Sequence, residues 1–382
     1  ARCTVSAHLY LSHTPQSLSP GHLSLTMDVS VLGSGSGCSE DCGVGSGCLE
    51  DCGNQSDRTD WEPDFSGAEL VCVTAVCVLL LALGITGNML TILVVWLRPH
   101  LRSTTYLYLS SMAISDLLIL LLMPLDLYYK LWRFRPWDLG DTVCKLSVFV
   151  SESCTYSSIL HITALSLERY LAVCRPLTAK TLVTRTRVRT LIGCLWVVAV
   201  ISAGPVFAMV GVEELGGGEG ESECRCTDYA VSSGLLGAMM WLSNLYFLVP
   251  LGILGVVYSL IGRKLWLRPQ RSSRDRAQRH TIKMLGMIVL AFVLCWLPFH
   301  VGRTLFSVTL GSSADMYYVS QYFNLVSFVL FYLSAAVNPI LYNTMSARYR
   351  HAVRSLLRSH THSHTHRSRH TSLTPQHSTT TL

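Results

Sequence analysis

The chain has 382 residues, of which 50% are hydrophobic and only 14% are charged. Soluble proteins carry about 25% charged residues, so this composition argues against an ordinary soluble protein. The net charge of +6 comes from 30 Lys and Arg residues against 24 Asp and Glu residues. The basic residues do not build a domain of the kind that binds nucleic acid, so we expect no nucleic-acid partner.

The first 69 residues lie before the first long apolar block, and we expect residues 1–69 to be an extracellular, largely disordered segment. Asn54 begins an Asn-Gln-Ser acceptor for glycosylation. Met27 is the first methionine and therefore the candidate initiator. A ten-residue repeat favours disulfides or low complexity over a metal site, and we assign no function to its cysteines, Cys38, Cys42, Cys48 and Cys52.

Seven apolar blocks follow, each long enough to cross a hydrocarbon layer of roughly 30 Å. We predict spans at 70–97, 106–129, 142–173, 188–210, 234–265, 282–306 and 317–344. The fold class is thus an all-α membrane protein, a seven-transmembrane helix bundle over 70–345. Arginines among apolar residues at 346–358 predict a short amphipathic helix on the membrane surface, with membrane lipid as its partner, and 359–382 is predicted to be a disordered cytoplasmic tail.

Basic residues concentrate in the loops after the first, third and fifth spans, around 98–102, 175–189 and 263–279. Such loops face the cytoplasm by the positive-inside rule. An odd number of spans then places the N-terminus outside the cell and the C-terminus in the cytoplasm.

Polar residues inside the spans indicate function, because a charge near the bilayer centre is costly and requires a partner. They stand in order, each group on its own span, at Asn88, Asp116, Glu168-Arg169-Tyr170, Trp296-Leu297-Pro298 and Asn338-Pro339-Ile340-Leu341-Tyr342. This ordered set resembles the rhodopsin-like (class A) G-protein-coupled receptors. A transporter would show inverted repeats, which we do not find, and no organised nucleophile or metal spacing indicates an enzyme.

Longer stretches are similar to the motilin and ghrelin (growth hormone secretagogue) receptor family. They include CWLPFHVGR at 295–303 and FYLSAAVNPILYN at 331–343, and the similarity runs from about 70 to 357. The residues at 168–177, 321–324 and His161 look more like the motilin branch, whereas 151–153 look more like the ghrelin branch. We favour the motilin branch, although the second outer loop lacks its long insertion. The alternatives are a ghrelin-type receptor and an orphan receptor of the same family.

This resemblance implies a plasma-membrane receptor for a secreted gut peptide hormone, coupled through a heterotrimeric G protein of the Gq class to phospholipase C and calcium release. Hydroxyl groups between Thr361 and Thr381 could be phosphorylated and would then attract arrestin. We therefore predict a receptor and not an enzyme.

The candidate ligand site lies in the outer half of the bundle. At 1.5 Å per helical residue, Glu152 lies about 12 Å below Cys144, and Arg303 lies roughly 10 Å above Trp296. Their similar depths allow a salt bridge, which the resemblance implies meets the ligand, the alternative being a structural ion pair. The candidate ligand-binding residues are Asp126, Glu152, Phe299, His300, Arg303, Gln321 and Phe328, of which Asp126 could instead snorkel to the interface.

The resemblance also implies a disulfide from Cys144 to the second outer loop, with Cys224 favoured and Cys226 as the alternative. We expect no cofactor other than an allosteric sodium ion, held by Asp116, Ser158, Ser334 and Asn338. The same four residues could form a network of hydrogen bonds between helices.

The predicted activation switch occupies the cytoplasmic half. Pro298 kinks the sixth span beside Trp296, and Tyr258 and Tyr342 are placed to meet near Arg169. Gln278 stands where many such receptors have an acidic partner for the arginine, which predicts basal signalling. The switch residues are Glu168, Arg169, Tyr170, Tyr258, Trp296, Pro298, Asn338, Pro339 and Tyr342.

Overall fold

The computed structural model describes residues 65–97, 103–132, 136–214, 222–267, 273–308, 314–345 and 349–355. Within these ranges the side chains at 273–278, 280, 281, 284, 285, 303–308, 314–318 and 342–345 are not described. Asn54, the cysteine repeat and the serine- and threonine-rich tail lie outside the described residues.

Seven long helices form a bundle within the described residues. They are α1 (Gly67–Leu97), α2 (Thr104–Asp126), α3 (Gly140–Cys174), α5 (Arg185–Ala203), α8 (Leu235–Trp266), α9 (Ser273–Val308) and α10 (Ala314–Met345). Five helical stretches are long and apolar enough to cross a membrane, at Gly67–Leu97, Thr104–Leu131, Arg185–Met209, Leu235–Trp266 and Val319–Leu341, and α9 carries a shorter apolar stretch, Gly286–Gly302. The remaining helix, α3, packs against α2, α5 and α8 and carries many of the buried polar residues.

Shorter elements connect these helices. A π-helical turn, Leu127–Leu131, continues α2 shortly after Pro124, and α4 (Pro176–Leu182) follows α3. Four short elements connect α5 to α8. They are α6 (Val206–Met209), β1 (Val210–Glu214), β2 (Ser222–Cys226) and α7 (Asp228–Ser232). The two strands pair antiparallel, with Val210 opposite Cys226 and Glu214 opposite Ser222.

The fourth span reaches Met209, close to the predicted 210, but its helix is interrupted. The sequence predicted a helix to 210, but α5 ends at Ala203, where the Gly204 N–H bonds the Ile201 carbonyl three residues back. Pro205 has no N–H to continue the helical ladder, which explains the break. Val210 begins a β-strand instead.

Glycines allow α1 to approach α2 and α10 closely. A Cβ atom on Gly87 would lie 2.6 Å from the Cβ of Pro339, and one on Gly84 would lie 2.6 Å from a methyl of Leu120. The chain then continues, after three residues outside the description, into a helical segment at 349–355. Its Tyr349 is buried and its hydroxyl lies 3.0 Å from Thr91 Oγ1 of α1, so this segment packs against the first helix.

Candidate functional site

A disulfide fixes the second outer loop to the bundle. It joins Cys144, at the start of α3, to Cys224 of β2, which decides between the two predicted partners in favour of Cys224. Asp141 adds a second link, because its Oδ1 accepts from Val212 N of β1 at 3.2 Å. A hydrogen-bonded ion pair with Lys145, at 2.6 Å, lowers the pKa of Asp141, so this carboxylate is ionised at neutral pH.

An upper cavity lies below this loop and brings together three of the predicted ligand-binding residues. Glu152 of α3 is 4% exposed, and Phe299 and His300 of α9 face it. The cavity is lined by Glu152, Thr155, Tyr156, Ile159, Ser243, Trp296, Phe299 and His300. One carboxylate among aromatic and hydroxyl groups is the composition of a binding site with few orienting polar groups.

His300 is fixed by packing and by a hydrogen bond between helices. Its ring stacks on Phe247 of α8, with the ring centroids 4.4 Å apart and an interplanar angle of 15°. Its Nδ1 lies 3.0 Å from Asn244 Oδ1, also of α8. This imidazole therefore joins α8 to α9 beside the Trp296 ring, whose centroid is 6.3 Å away.

Asp126 does not line the upper cavity. Its carboxylate is 1% exposed and forms an ion pair with Lys130 at 2.8 Å. The hydroxyl of Tyr332 on α10 donates a second bond to it. Phe328, another predicted ligand residue, is buried with its ring 5.1 Å from that of Tyr332. Asp126 and Phe328 thus belong to a packed cluster between α2 and α10.

Gln321 lies near the outer end of α10 and is 2% exposed. Its Oε1 is buried and has no hydrogen-bond partner among the described residues. A buried acceptor without a donor is unfavourable, so a donor group that reached this carbonyl would stabilise it.

A lower cavity contains all four predicted sodium ligands. Asn338 Nδ2 donates to Asp116 Oδ2 at 3.0 Å, and the buried Ser158 Oγ has no hydrogen-bond partner in the part of the chain that the structure describes. The cavity is lined by Asp116, Ile119, Thr155, Ser158, Ile159, Ile162, Ile288, Phe292, Trp296, Ser334, Val337 and Asn338. A carboxylate, hydroxyls and an amide are the oxygen donors that suit a hard cation, so these residues fit sodium.

Trp296 lies between the two cavities and contributes to the lining of both. Its ring also packs edge-on against Phe331 of α10, with centroids 5.6 Å apart. Pro298 stands inside α9 two residues later, and Pro339 stands inside α10. The tryptophan therefore contributes to both cavities from a helix that contains a proline two residues later.

At the end of α3 opposite the disulfide, Arg169 forms an ion pair with the preceding Glu168. Thr104 Oγ1 of α2 donates to the same Glu168 oxygen, Oε1, at 2.5 Å. The hydroxyl of Tyr258 on α8 lies 3.4 Å from Ser166 Oγ, and Tyr170 packs in a cluster between α3 and α8. The switch residues of α3 and α8 therefore lie close together.

Three predictions fall outside the described side chains. Arg303 and Tyr342 lie in α9 and α10, but only their backbone is described, so the Glu152–Arg303 pair and the Tyr258–Tyr342 meeting stay predictions. The side chain of Gln278 is likewise not described. Next to it, Arg279 Nη2 donates to the Leu265 carbonyl at 2.5 Å, which holds the foot of α9 to the end of α8.

Sequence reasoning missed several residues of the site. Lys130 follows Asp126 by four residues, the helical spacing at which opposite charges meet, so the sequence did carry that signal. Asn244 and Tyr332 carried none, because their partners His300 and Asp126 are on other helices whose rotation the sequence does not specify.

Comparison with known proteins identifies the family. The 7 transmembrane receptor (rhodopsin family) pattern matches residues 87–342. The growth hormone secretagogue receptor type 1 of Sus scrofa is 57% identical over 304 residues, which cover 77% of this chain and 83% of that receptor. The Homo sapiens receptor of the same name is 57% identical over 302 residues, covering 77% and 82%. The motilin receptor of Homo sapiens is 45% identical over 336 residues, covering 75% and 81%.

These identities correct the preference for the motilin branch and favour the ghrelin alternative. That preference depended on short stretches, whereas identity over 304 residues compares nearly the whole bundle. The chain therefore belongs to the rhodopsin family of seven-transmembrane receptors, within the group of the growth hormone secretagogue and motilin receptors, and is a multi-pass membrane protein.

Proposed function

We propose that this protein is a plasma-membrane receptor for a secreted peptide hormone of the ghrelin class, coupled through a Gq-class G protein to calcium release. The observation that carries the proposal is the position of Trp296, which lines both the upper cavity and the lower cavity. A ligand that displaces this ring shifts the population toward a state with an open cytoplasmic face, provided that the ligand binds that state more tightly.

The upper cavity supports recognition of a basic or hydrogen-bond-donating peptide group. Glu152 is buried there, and a buried carboxylate strongly prefers a cationic or donating partner. If Arg303 pairs with Glu152 as predicted, the pair would offer a peptide one cationic and one anionic group. The similarity to growth hormone secretagogue receptors at 57% identity, against 45% for the motilin receptor, supports the ghrelin class.

The proposed orientation places the Cys144–Cys224 disulfide outside the cell. Disulfides persist in oxidising compartments, and this one lies at the end of the bundle that carries the upper cavity. The opposite end, with Arg169 and α4, would then face the cytoplasm and the G protein. Arrestin would bind there after phosphorylation of the tail, and the helix at 349–355 would lie on the inner lipid surface.

The proposed sodium ion would be held by Asp116, Ser158, Ser334 and Asn338 and would favour the inactive state. Asn338 already donates to Asp116, and the Ser158 oxygen, which has no partner within the described ranges, supplies a further ligand. We expect sodium chloride to weaken agonist binding relative to choline chloride in wild-type membranes. Asp116→Asn should abolish that difference, and a sodium effect that survives the substitution would contradict the site.

Calcium recording in cells that express the full chain tests the proposed function. Acylated ghrelin, unacylated ghrelin and motilin are applied to the wild type and to Glu152→Gln, which removes the charge and keeps the shape. We expect a response to ghrelin peptides and an increase of about tenfold or more in the half-maximal concentration for Glu152→Gln, as for a truncated buried ion pair.

Glu214→Gln is the matched control, because Glu214 is an exposed acid of β1 outside the upper cavity. It should shift the response by less than about twofold, the size expected for one screened surface charge. A response to motilin alone would show that the ligand is of the motilin class and not of the ghrelin class. Silence to all three peptides at verified surface expression would contradict the proposal and favour an orphan receptor.

A further inference from the structure

The first helix begins with a reciprocal cap. Ser66 N donates to Glu69 Oε2 at 2.8 Å, and Glu69 N donates to Ser66 Oγ at 3.3 Å. Phe65 precedes the cap, Leu70 follows it, and both are buried in the same apolar cluster. This is the capping box with its hydrophobic staple, which fixes the direction in which the chain enters α1.

The same cap also binds α10. The hydroxyl of Tyr322 donates to Glu69 Oε1 at 3.0 Å, the carboxylate oxygen that the cap itself does not use. The ring of Tyr322 meets the ring of Phe65 edge-on, with centroids 5.4 Å apart and an angle of 82°. We call Phe65, Ser66, Glu69 and Tyr322 the outer clasp.

Helix capping alone does not explain this arrangement. A capping box needs one carboxylate oxygen, which is Glu69 Oε2, and a staple needs one apolar partner for Phe65, which is Leu70. The contacts with Tyr322 are additional, and they connect the first helix to the outer part of the last.

The residue that precedes Tyr322 is Gln321, the buried amide whose Oε1 has no hydrogen-bond partner among the residues that the structure describes. Its neighbour Tyr322 is held by a hydrogen bond to Glu69 of α1 and by a ring contact with Phe65, just before α1. The outer clasp therefore restricts the turn of α10 that carries the unsatisfied acceptor.

We propose that the outer clasp is a positioning device for ligand recognition, in which Glu69 and Phe65 hold Tyr322 so that Gln321 presents its carbonyl oxygen to a ligand donor. The donor is an N–H, ammonium or hydroxyl group of the ligand, since an amide carbonyl accepts only. This inference rests on the proposed function, a receptor for a peptide. Tyr322 is a positioning residue in this account, and Gln321 is the residue that meets the ligand.

The first test compares Tyr322→Phe with Gln321→Leu by calcium recording with acylated ghrelin. Tyr322→Phe removes the hydroxyl and keeps the ring beside Phe65, and Ser66→Ala is the control that weakens the cap without removing the bond between Tyr322 and Glu69. We expect each of the first two to raise the half-maximal concentration about fivefold, the factor that one net hydrogen bond supplies, with unchanged surface expression. Ser66→Ala should leave it within about twofold of the wild type.

The double variant separates positioning from direct contact. If Tyr322 acts through Gln321, Tyr322→Phe has no further effect in the Gln321→Leu background, because coupled residues are not additive. Additive shifts would show that Tyr322 acts independently of Gln321 and would overturn the proposal. An unchanged response of Tyr322→Phe, in a wild type that answers the peptide, would overturn it too.

Hydrogen–deuterium exchange in the purified, ligand-free protein provides a readout that needs no agonist. Amides at 319–325 should exchange faster in Tyr322→Phe than in the wild type and in Ser66→Ala. If the wild type answers no peptide, the proposed function fails, and this exchange alone decides the outer clasp: faster exchange supports it and unchanged exchange overturns it.

Discussion

The two ends of the bundle use polar side chains differently. In the outer half, buried polar groups pair between helices, as Asp126 of α2 does with Tyr332 of α10 and His300 of α9 does with Asn244 of α8. The His300–Asn244 pair fixes one wall of the upper cavity, which favours a preformed binding site, and the Asp126–Tyr332 pair holds the packed cluster between α2 and α10.

The end that we propose faces the cytoplasm has a different pattern among its described side chains. Arg169 pairs with its neighbour Glu168 on the same helix, so that ion pair does not have to break when α9 moves. Among the described side chains of this end, Arg279 supplies a bond from α9 to the Leu265 carbonyl of α8. Among the described side chains, the polar pairs of the proposed outer half thus join different helices, whereas the Glu168–Arg169 ion pair lies within α3.

Breaking the buried ion pair of the outer half should have the largest effect. Lys130→Met leaves the Asp126 carboxylate buried without its cation, which costs about 3–5 kcal/mol of unfolding free energy. The melting temperature of the purified receptor should fall accordingly, and Asp126→Asn in the same chain should restore most of it. Lys145→Met is the control, because its pair with Asp141 is exposed and contributes about 1 kcal/mol or less. Equal losses in the two lysine variants would contradict the distinction.

Removing the Cys144–Cys224 disulfide should lower the free energy of unfolding by a similar or slightly smaller amount. Cys224→Ser releases β2 from the start of α3, and loss of a native disulfide costs about 2–5 kcal/mol. Surface labelling and peptide binding should both fall strongly. Cys194→Ser changes an exposed free thiol of α5 and should leave both measurements unchanged.

Much of this architecture follows from the sequence, because the lengths of the apolar blocks determine the number of spans, and the basic loops predict their direction. The cavities could be predicted only in part. Asp116, Ser158 and Asn338 stand on three helices whose motifs predict convergence, and the lower cavity does bring them together. The burial of Asp126 and the bond from Tyr322 to Glu69 could not be predicted, because they depend on how far each helix rotates about its own axis.

Forcing α9 away from α10 should lower the free energy of unfolding by an intermediate amount. A Cβ atom at Gly302 would lie 2.5 Å from Cδ1 of Phe323, so Gly302→Ala forces the two helices apart. Such overpacking costs about 1–3 kcal/mol, and a shortened Phe323→Leu should relieve it. Gly252→Ala on α8 meets no atom within 4 Å and should not lower the melting temperature. A Gly302→Ala receptor as stable as the wild type would show that the outer half is not closely packed.

Loosening the cytoplasmic end should have the smallest effect on stability and a visible one on signalling. Arg279→Ala removes a charged hydrogen bond worth about 1.5 kcal/mol or more, which would raise basal inositol phosphate production several-fold if that bond favours the closed state. Arg263→Ala removes a basic residue from the last turn of α8 and serves as the control. Basal production equal to that of mock-transfected cells in both variants would refute basal signalling from a weakly held α9.

The most direct test of this division is equilibrium binding of labelled acylated ghrelin to membranes that contain the wild type, Glu152→Gln or Arg169→Ala. The account predicts that Glu152→Gln raises Kd by about tenfold or more, equivalent to 1.4 kcal/mol, because it alters the upper cavity. Arg169→Ala should keep Kd within a few-fold of the wild type while calcium release is lost, because it alters only the signalling end. Unchanged binding by Glu152→Gln, or an equal loss of binding in both variants, would contradict the account.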